Sequence, residues 1–362
     1  MQNWPSALCI TRFIWKIRKS KMRSNDEILN AFWEKGRAFL NTRYAIMGGA
    51  MSWISEHNLV AAISNAGGFG VIAGGAMPPQ VLKDEIAKTA ALTKNSFGVN
   101  LITMHPQLDE LIDVCIESKI SHAILAGGIP TAQAIKKLKD AGIKVMCFAP
   151  ALVLAKRMIR SGADALILEG TEAGGHIGPV ATNILAQEIL PHVKDVPVFI
   201  AGGIGSGEMM AAFLALGASG CQLGTRFVCA TECIAHPNFK KAFINANARD
   251  AVPTVQIDAR FPVIPVRAIA NEGTRRFMDF QMETIQKYQR GEMELKEAQM
   301  AIEHFWGGAL RRAVIDGDVE NGSLMAGQSV GLVKDEKPVQ AIIDDLVTQA
   351  ADALRRWGRI PA

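Results

Sequence analysis

Ala201-Gly202-Gly203-Ile204-Gly205-Ser206-Gly207 and, a short way on, Gln222-Leu223-Gly224-Thr225-Arg226-Phe227 decide the reading of this chain. Each string begins where a short apolar run ends, Val198–Ala201 in one case and Gly220–Leu223 in the other. Glycine lets the backbone approach an anion closely, and the N–H groups that open a helix then point at it. Two such turns on successive strands are the phosphate grip of (β/α)8 barrels. A pair of ordinary tight turns would have a similar composition. Both strings, however, place glycine at the strand end where barrels bind their ligands.

Outward from these turns the same rhythm continues. Strands are predicted at Ala45–Met47, Gly70–Ile72, Phe97–Leu101, Ala123–Leu125, Lys144–Phe148, Ala165–Glu169, Val198–Ala201 and Gly220–Leu223. Helical patterns lie between them, at Glu56–Asn65, Pro79–Thr93, Gln107–Glu117, Pro130–Ala141, Ala151–Ser161, Asn183–His192 and Gly207–Leu216. Several strands follow directly on a helix-ending glycine, as at Gly142, Gly162 and Gly217. Continuous β/α alternation means parallel strands. A doubly wound open sheet alternates in the same way, but eight units with a phosphate signature on the last two favour the barrel.

After Phe227 the alternation stops. Long polar helices are expected at Thr274–Arg290 and Glu294–Phe305, with a proline-rich run at 261–266. The expected organisation is an N-terminal extension at 1–43, a barrel at 44–227, a helical cap inserted after strand 8 at 228–320, and a return to the barrel at 321–362 ending in a helix at Pro338–Arg355.

Composition excludes several classes. The net charge is +4, but Arg12, Lys16, Arg18, Lys19 and Lys21 place five positive charges and no acid in residues 1–21, so the remaining chain carries a formal −1. A nearly neutral body is no partner for nucleic acid. The basic tail reads as a targeting segment, as an interfacial amphipathic segment around Trp4, Phe13, Ile14 and Trp15, or as an extension upstream of a start at Met22, the last being preferred. No run of about 18 apolar residues predicts a membrane span. The cysteines (Cys9, Cys115, Cys147, Cys221, Cys229, Cys233) form no C-x-x-C pair, and Cys147 and Cys221 fall in strand-like runs where thiols are inert. That pattern points to a reducing, cytoplasmic setting. The dispersed histidines offer no metal-binding spacing, so no metal is expected.

Further candidates sit at other strand ends. Past strand 6 runs Glu169-Gly170-Thr171-Glu172-Ala173-Gly174-Gly175-His176-Ile177-Gly178. A histidine held between glycines on the ligand face can move a proton near neutral pH. Met47-Gly48-Gly49-Ala50-Met51 leaves room for a flat ring, and the Asn100 amide both donates and accepts. Gly68-Phe69-Gly70-Val71-Ile72-Ala73 matches a dinucleotide-binding string, but it ends a helix and enters a strand, the reverse of what that motif requires.

Taken in order, Ile46-Met47-Gly48-Gly49-Ala50-Met51, Ser64-Asn65-Ala66-Gly67-Gly68-Phe69-Gly70, Phe97-Gly98-Val99-Asn100, Glu172-Ala173-Gly174-Gly175-His176 and the two phosphate turns resemble the nitronate monooxygenase family over about residues 42–335. The resemblance implies a TIM-like barrel holding FMN non-covalently. Gly203, Gly224 and Thr225 would hold the phosphate, with Gln222 and Leu223 leading into that turn. Glu169 and Gly174 would lie along the ribityl chain, and Gly48, Gly49, Ala50 and Asn100 would border the flavin ring. His176 would stand over the active site.

The implied activity is oxidation of alkyl nitronates with O2. The segment Asn321-Gly322-Ser323-Leu324-Met325-Ala326-Gly327-Gln328 leans toward the related FMN-dependent enoyl-ACP reductases, whereas the Glu172–His176 string leans toward the monooxygenases. One monooxygenase class carries several late tyrosines, and this chain has only Tyr44 and Tyr288. Expected partners are a small molecule (nitronate, enoyl thioester or quinone), O2 or NAD(P)H and, if the chain associates at all, a second copy in a homodimer. NADH:quinone reductases share the scaffold, and a non-catalytic phosphate-binding barrel is the alternative of another class.

Overall fold

The computed structural model describes residues 24–358, apart from 259, 262–264 and 306–307, and gives the backbone alone at 303 and 304. The basic segment 1–21 with its three readings, and part of the proline-rich run, lie outside the described residues. The chain opens with α1 (Asn25–Leu40) and then alternates: β1 (Ile46–Gly48), α2 (His57–Asn65), β2 (Gly70–Ala73), α3 (Pro79–Leu92), β3 (Phe97–Ile102), α4 (Leu108–Glu117), β4 (His122–Ala126), α5 (Ala132–Asp140), β5 (Lys144–Phe148), α6 (Leu152–Arg160) and β6 (Ala165–Glu169). A two-residue strand, β7 (Gly175–His176), interrupts the rhythm before α7 (Thr182–Ile189), β8 (Val198–Ala201), α8 (Gly207–Ala215) and β9 (Gly220–Leu223).

The eight long strands pair in parallel in the order β1-β9-β8-β6-β5-β4-β3-β2. The ring is completed by the bridge Met47↔Phe69, with Gly48 N–H donating to the Phe69 carbonyl at 2.9 Å and Phe69 N–H to the Ile46 carbonyl at 2.8 Å. The fold is therefore the expected (β/α)8 barrel. Its strands are buried along most of their length because one face fills the barrel and the other meets helices. Most helix starts differ from expectation by one or two residues, and at two of them the cap shows why. Glu56 lies outside α2, its carboxylate accepting from Asn58 and Leu59 N–H. The first helix of the late region, α11 (Glu272–Gln289), starts earlier than expected because Asn271 Oδ1 accepts from Thr274 N–H at 2.9 Å.

A helix that the sequence reading did not identify, α1, starts in a capping box between Ser24 and Glu27 and buries Ile28, Leu29, Trp33 and Leu40. Its end covers the strand N-termini. The Phe39 carbonyl accepts from His122 Nε2 at 2.9 Å and from Lys144 Nζ at 2.6 Å, and the His122 ring sits edge-on to Phe39 and Phe69.

Beyond β9 come α9 (Thr225–Val228), α10 (Pro237–Asn245), β10 (Ala251–Pro253), β11 (Val266–Ile269), α11, α12 (Leu295–Phe305), α13 (Ala309–Val314) and α14 (Val339–Arg356). Phe261, Phe277, Ile285, Ala298 and Ile302 form an apolar cluster of their own, whereas Phe239 and Phe243 on α10 and Ala313 and Val314 on α13 pack into the barrel core. Strands β10, β11 and β7 make a small antiparallel sheet joining this region to the loop after β6. At the end of the chain α14 lies on α8. A Cβ on Gly207 would stand 2.1 Å from the Leu346 carbonyl oxygen, so only glycine admits this approach.

Burial pushes the His122 imidazole down to about 4, so the folded chain refuses a proton that the unfolded chain accepts near pH 6.5. The contribution is complete above pH 6.5 and is lost as pH falls toward 4, amounting to about 3 kcal/mol. Denaturant unfolding of His122→Gln beside the natural chain is expected to show a flatter pH dependence in that window. Parallel curves would contradict this.

Candidate active site

At the end of β8, Gly202 and Gly203 adopt φ of +87° and +72°, successive left-handed residues that turn their N–H groups to one side. Among the described residues the backbone N–H groups of Gly203 and Ile204 donate to no acceptor, nor do those of Gly224 and Thr225 after β9. Free N–H groups on two adjoining glycine turns are the donors that an anion takes. The chain itself satisfies the first N–H groups of α8: Ser206 Oγ accepts from Met209 at 3.4 Å, and Gln349 Oε1 from α14 accepts from Gly207 at 2.8 Å. The cradle is therefore made by the glycine turns and the start of α9, a narrower origin than helix N-termini in general.

Several segments hold these turns in place. Gly49 N–H donates to the Leu223 carbonyl at 2.8 Å, tying the β1 turn to the β9 turn. Ser55 fixes the β1 turn by donating to the Gly49 carbonyl at 2.7 Å and accepting from Met51 N–H at 3.0 Å. The return segment lies across the cradle. Gly327 N–H donates to Thr225 Oγ at 3.0 Å, Gln328 N–H donates to the Glu172 carbonyl at 2.9 Å, and a Cβ on Gly174 would stand 2.6 Å from Gly327 N. Arg226, part of the expected phosphate string, turns its guanidinium to Asp335 at 2.9 Å. Glu172 faces the start of α7, one carboxylate oxygen accepting from Thr182 N–H and Oγ, each at 2.9 Å.

Register places Glu169, Ala201, Gln222 and Met47 on one level across β6, β8, β9 and β1. Parallel neighbours in register share a sheet face, so Glu169 and Gln222 point to the same side. Gln222 is buried and its amide has no hydrogen-bond partner among the described residues. Asn100 at the end of β3 is also buried and makes one long contact, 3.5 Å to the Ile124 carbonyl. Glu169 is half-buried and encircled by protein. Burial pushes its carboxyl up to about 8, and no described residue hydrogen-bonds it.

His176, expected in a loop, stands on β7 instead, opposite Val266 of β11. Its neighbour Ile177 donates to the Pro265 carbonyl at 3.0 Å. The ring is open to solvent on one side and lacks a hydrogen-bond partner among the described residues, and surrounding protein lowers its proton affinity. It is neutral at pH 7, with one nitrogen free to accept a proton and the other able to donate.

The structure thus brings the β1 turn, the ends of β6, β8 and β9, and the return segment together. It also adds residues that sequence reasoning missed. Ser55 is one; Arg267 on β11 is another, donating to the Thr171 carbonyl within the same loop. The core thiols are inert, Cys147 being pushed up to about 12 by burial and Cys221 further. Among the described residues one group with metal-ligand chemistry appears, Glu56, His57 and Glu85. These atoms are already used: Glu56 caps α2, and Glu85 accepts from His57 Nδ1 at 2.7 Å and from Lys88 at 3.0 Å. No helix among the described residues is long and apolar enough to cross a membrane.

Residues 34–349 match the family model described as nitronate monooxygenase. A probable nitronate monooxygenase of Staphylococcus aureus is 29% identical, the match covering 88% of this chain and 98% of that one. A (3aS,4S,5R,7aS)-5-hydroxy-7a-methyl-1-oxo-octahydro-1H-indene-4-carboxyl-CoA dehydrogenase of Rhodococcus jostii is 30% identical over 88% of this chain and 94% of its own. Among solved structures, FabK from Thermotoga maritima is 37% identical, with a TM-score of 0.81 over 89% of this chain and 97% of that one.

Below about pH 8 the Glu169 carboxyl is neutral and both donates and accepts; above it, the group adds a negative charge to the wall of an anion site. The affinity of the turns for a phosphate dianion is therefore expected to fall as pH rises through 8, and Glu169→Gln to flatten that dependence. Isothermal titration calorimetry measures both. An equally steep fall in the variant would remove Glu169 from the site.

Proposed function

Since the chain belongs to the nitronate monooxygenase family, we propose that its cradle holds FMN and that it oxidises alkyl nitronates with O2. The chain is an oxidoreductase of that family. The observation that carries the cofactor assignment is the set of four orphan N–H groups beside the unpartnered Glu169 and Gln222. They suit a phosphate followed by a polyol chain, which presents an anion first and hydroxyls next.

In this reading Gly203, Gly224 and Thr225 hold the phosphate, Gln222 and Leu223 lead into that turn, Glu169 and Gly174 flank the ribityl chain, and Gly48, Gly49, Ala50 and Asn100 border the ring. FMN, when bound, supplies the electron chemistry. The chain's own residues orient it and manage protons. The neutral His176 imidazole accepts a proton at its free ring nitrogen or donates from the other, and β7 holds it at the rim. The region from 228 to 320 serves as a cap that excludes water. Paired structural disulfides are not needed, and the buried free cysteines suit a cytoplasmic enzyme.

A second reading has a specific observation behind it: the identity to FabK, an enoyl-ACP reductase, exceeds that to the nitronate relatives. The contact of Gly327 with Thr225 puts the segment that leans the same way directly on the cradle. In that case NAD(P)H would deliver hydride through FMN to an enoyl thioester, and a quinone would be the other acceptor on this scaffold.

The purified protein is expected to be yellow; a colourless protein unable to take up FMN would point to a binding barrel instead. Mixed anaerobically with propyl-2-nitronate, it is expected to lose its colour rapidly. Rapid bleaching by NADH or NADPH, with none by nitronate, would overturn the first reading and select the second. His176→Ala is expected to slow turnover by about 100-fold or more while retaining FMN. Loss of the flavin would make His176 structural.

A further inference from the structure

Arg267 is 5% exposed on the central strand of the small sheet, yet no carboxylate among the described residues lies within ion-pair distance. Its guanidinium donates to two main-chain carbonyls instead: Nε to Thr171 at 2.9 Å and Nη1 to Ala251 at 2.6 Å. Burying an unpaired cation is expensive. Strand pairing alone does not require it, because β11 already has ladders to β7 and β10.

The residue joins three segments. Thr171 lies in the loop that carries Glu172, Gly174 and His176. Ala251 opens β10 at the edge of the late region. The Arg267 carbonyl itself accepts from Ala326 N–H at 3.3 Å, in the segment that crosses the cradle. Arg267 stands opposite Gly175, the residue before His176.

We propose that Arg267 is a positioning residue that clamps the β6 loop to the small sheet and so fixes the His176 ring at the rim of the cradle. This rests on the role given to His176 above. A two-residue strand has little stability of its own, so β7 needs a second tie, and the Thr171 carbonyl supplies one that a backbone ladder cannot reach. The ionisable groups on the elements flanking His176 are Glu169 and Glu172 on the β6 side and Arg267 on β11. β10 and residues 322–328 contribute none.

The test uses Arg267→Gln and Arg267→Lys in the flavin-loaded enzyme. Arg267→Gln is expected to keep its flavin and lower kcat about 10- to 100-fold with little change in KM, as misplacement of a reacting group does. NMR titration of the His176 ring is expected to show its midpoint rising toward the ordinary histidine value as water enters. Arg267→Lys, which keeps the charge and one donor direction, is expected to fall between. The proposal is overturned if Arg267→Gln lowers only the melting temperature, leaving kcat and the His176 midpoint unmoved. Should Arg267→Gln fail to fold, an unmoved kcat and midpoint in Arg267→Lys overturn it equally. If His176→Ala turns over normally, the role of His176 fails by itself, and the titration shift still decides whether Arg267 positions it.

Discussion

Backbone N–H groups that the protein leaves without acceptors, at Gly203, Ile204, Gly224 and Thr225, are the constraint from which the rest of the site follows. Free main-chain donors gathered on two adjoining turns are complementary to an anion that completes them. Two glycines in the left-handed region are needed to aim them, and aimed turns must be held still. The surroundings do that. Ser206 and Gln349 cap α8, the β1 turn is bonded to Leu223, and the return segment is bonded to Thr225. The C-terminal helix thus supports the cradle from behind through Gly207, far from the chemistry it serves.

Charge around the cradle is arranged to keep ionised groups from competing with the ligand. Arg226 is taken up by Asp335, and one oxygen of Glu172 by the start of α7. Glu169, a carboxyl with no hydrogen-bond partner among the described residues, is held largely neutral near pH 7 by burial, and the surroundings of His176 disfavour its charged form too. Arg267, buried with no carboxylate in ion-pair distance among the described residues, sits where it can brace the loop between Glu169 and His176. Polar groups of low net charge suit the flavin proposed for this chain, which brings its own phosphate charge.

Much of the barrel was legible because its strands are short and apolar on both faces and several are preceded by helix-ending glycines, three local signals that agree at β5, β6 and β9. The phosphate turns were legible for the same reason, since glycine need is local. What escaped depends on distant partners. β7 has only two residues and exists because β11, some ninety residues on, pairs with it. Ser55 and Arg267 act through carbonyls, which leave no mark in sequence. The Glu56–His57–Glu85 knot joins two helices whose residues are far apart in the chain. By contrast α1 carried a readable pattern, with its capping box and buried Ile28, Leu29, Trp33 and Leu40, but adjoined a basic tail and was grouped with it.

The claim that everything else leans on is that the protein grips a phosphate through main-chain donors. Comparing the affinity of the apoprotein for FMN with that for riboflavin, which is the same molecule without the phosphate, measures this directly. The account predicts that FMN binds about 100-fold or more tightly, the effect of a few charge-assisted hydrogen bonds, and that inorganic phosphate weakens FMN binding. Riboflavin binding as tightly as FMN, with no effect of phosphate, would contradict it.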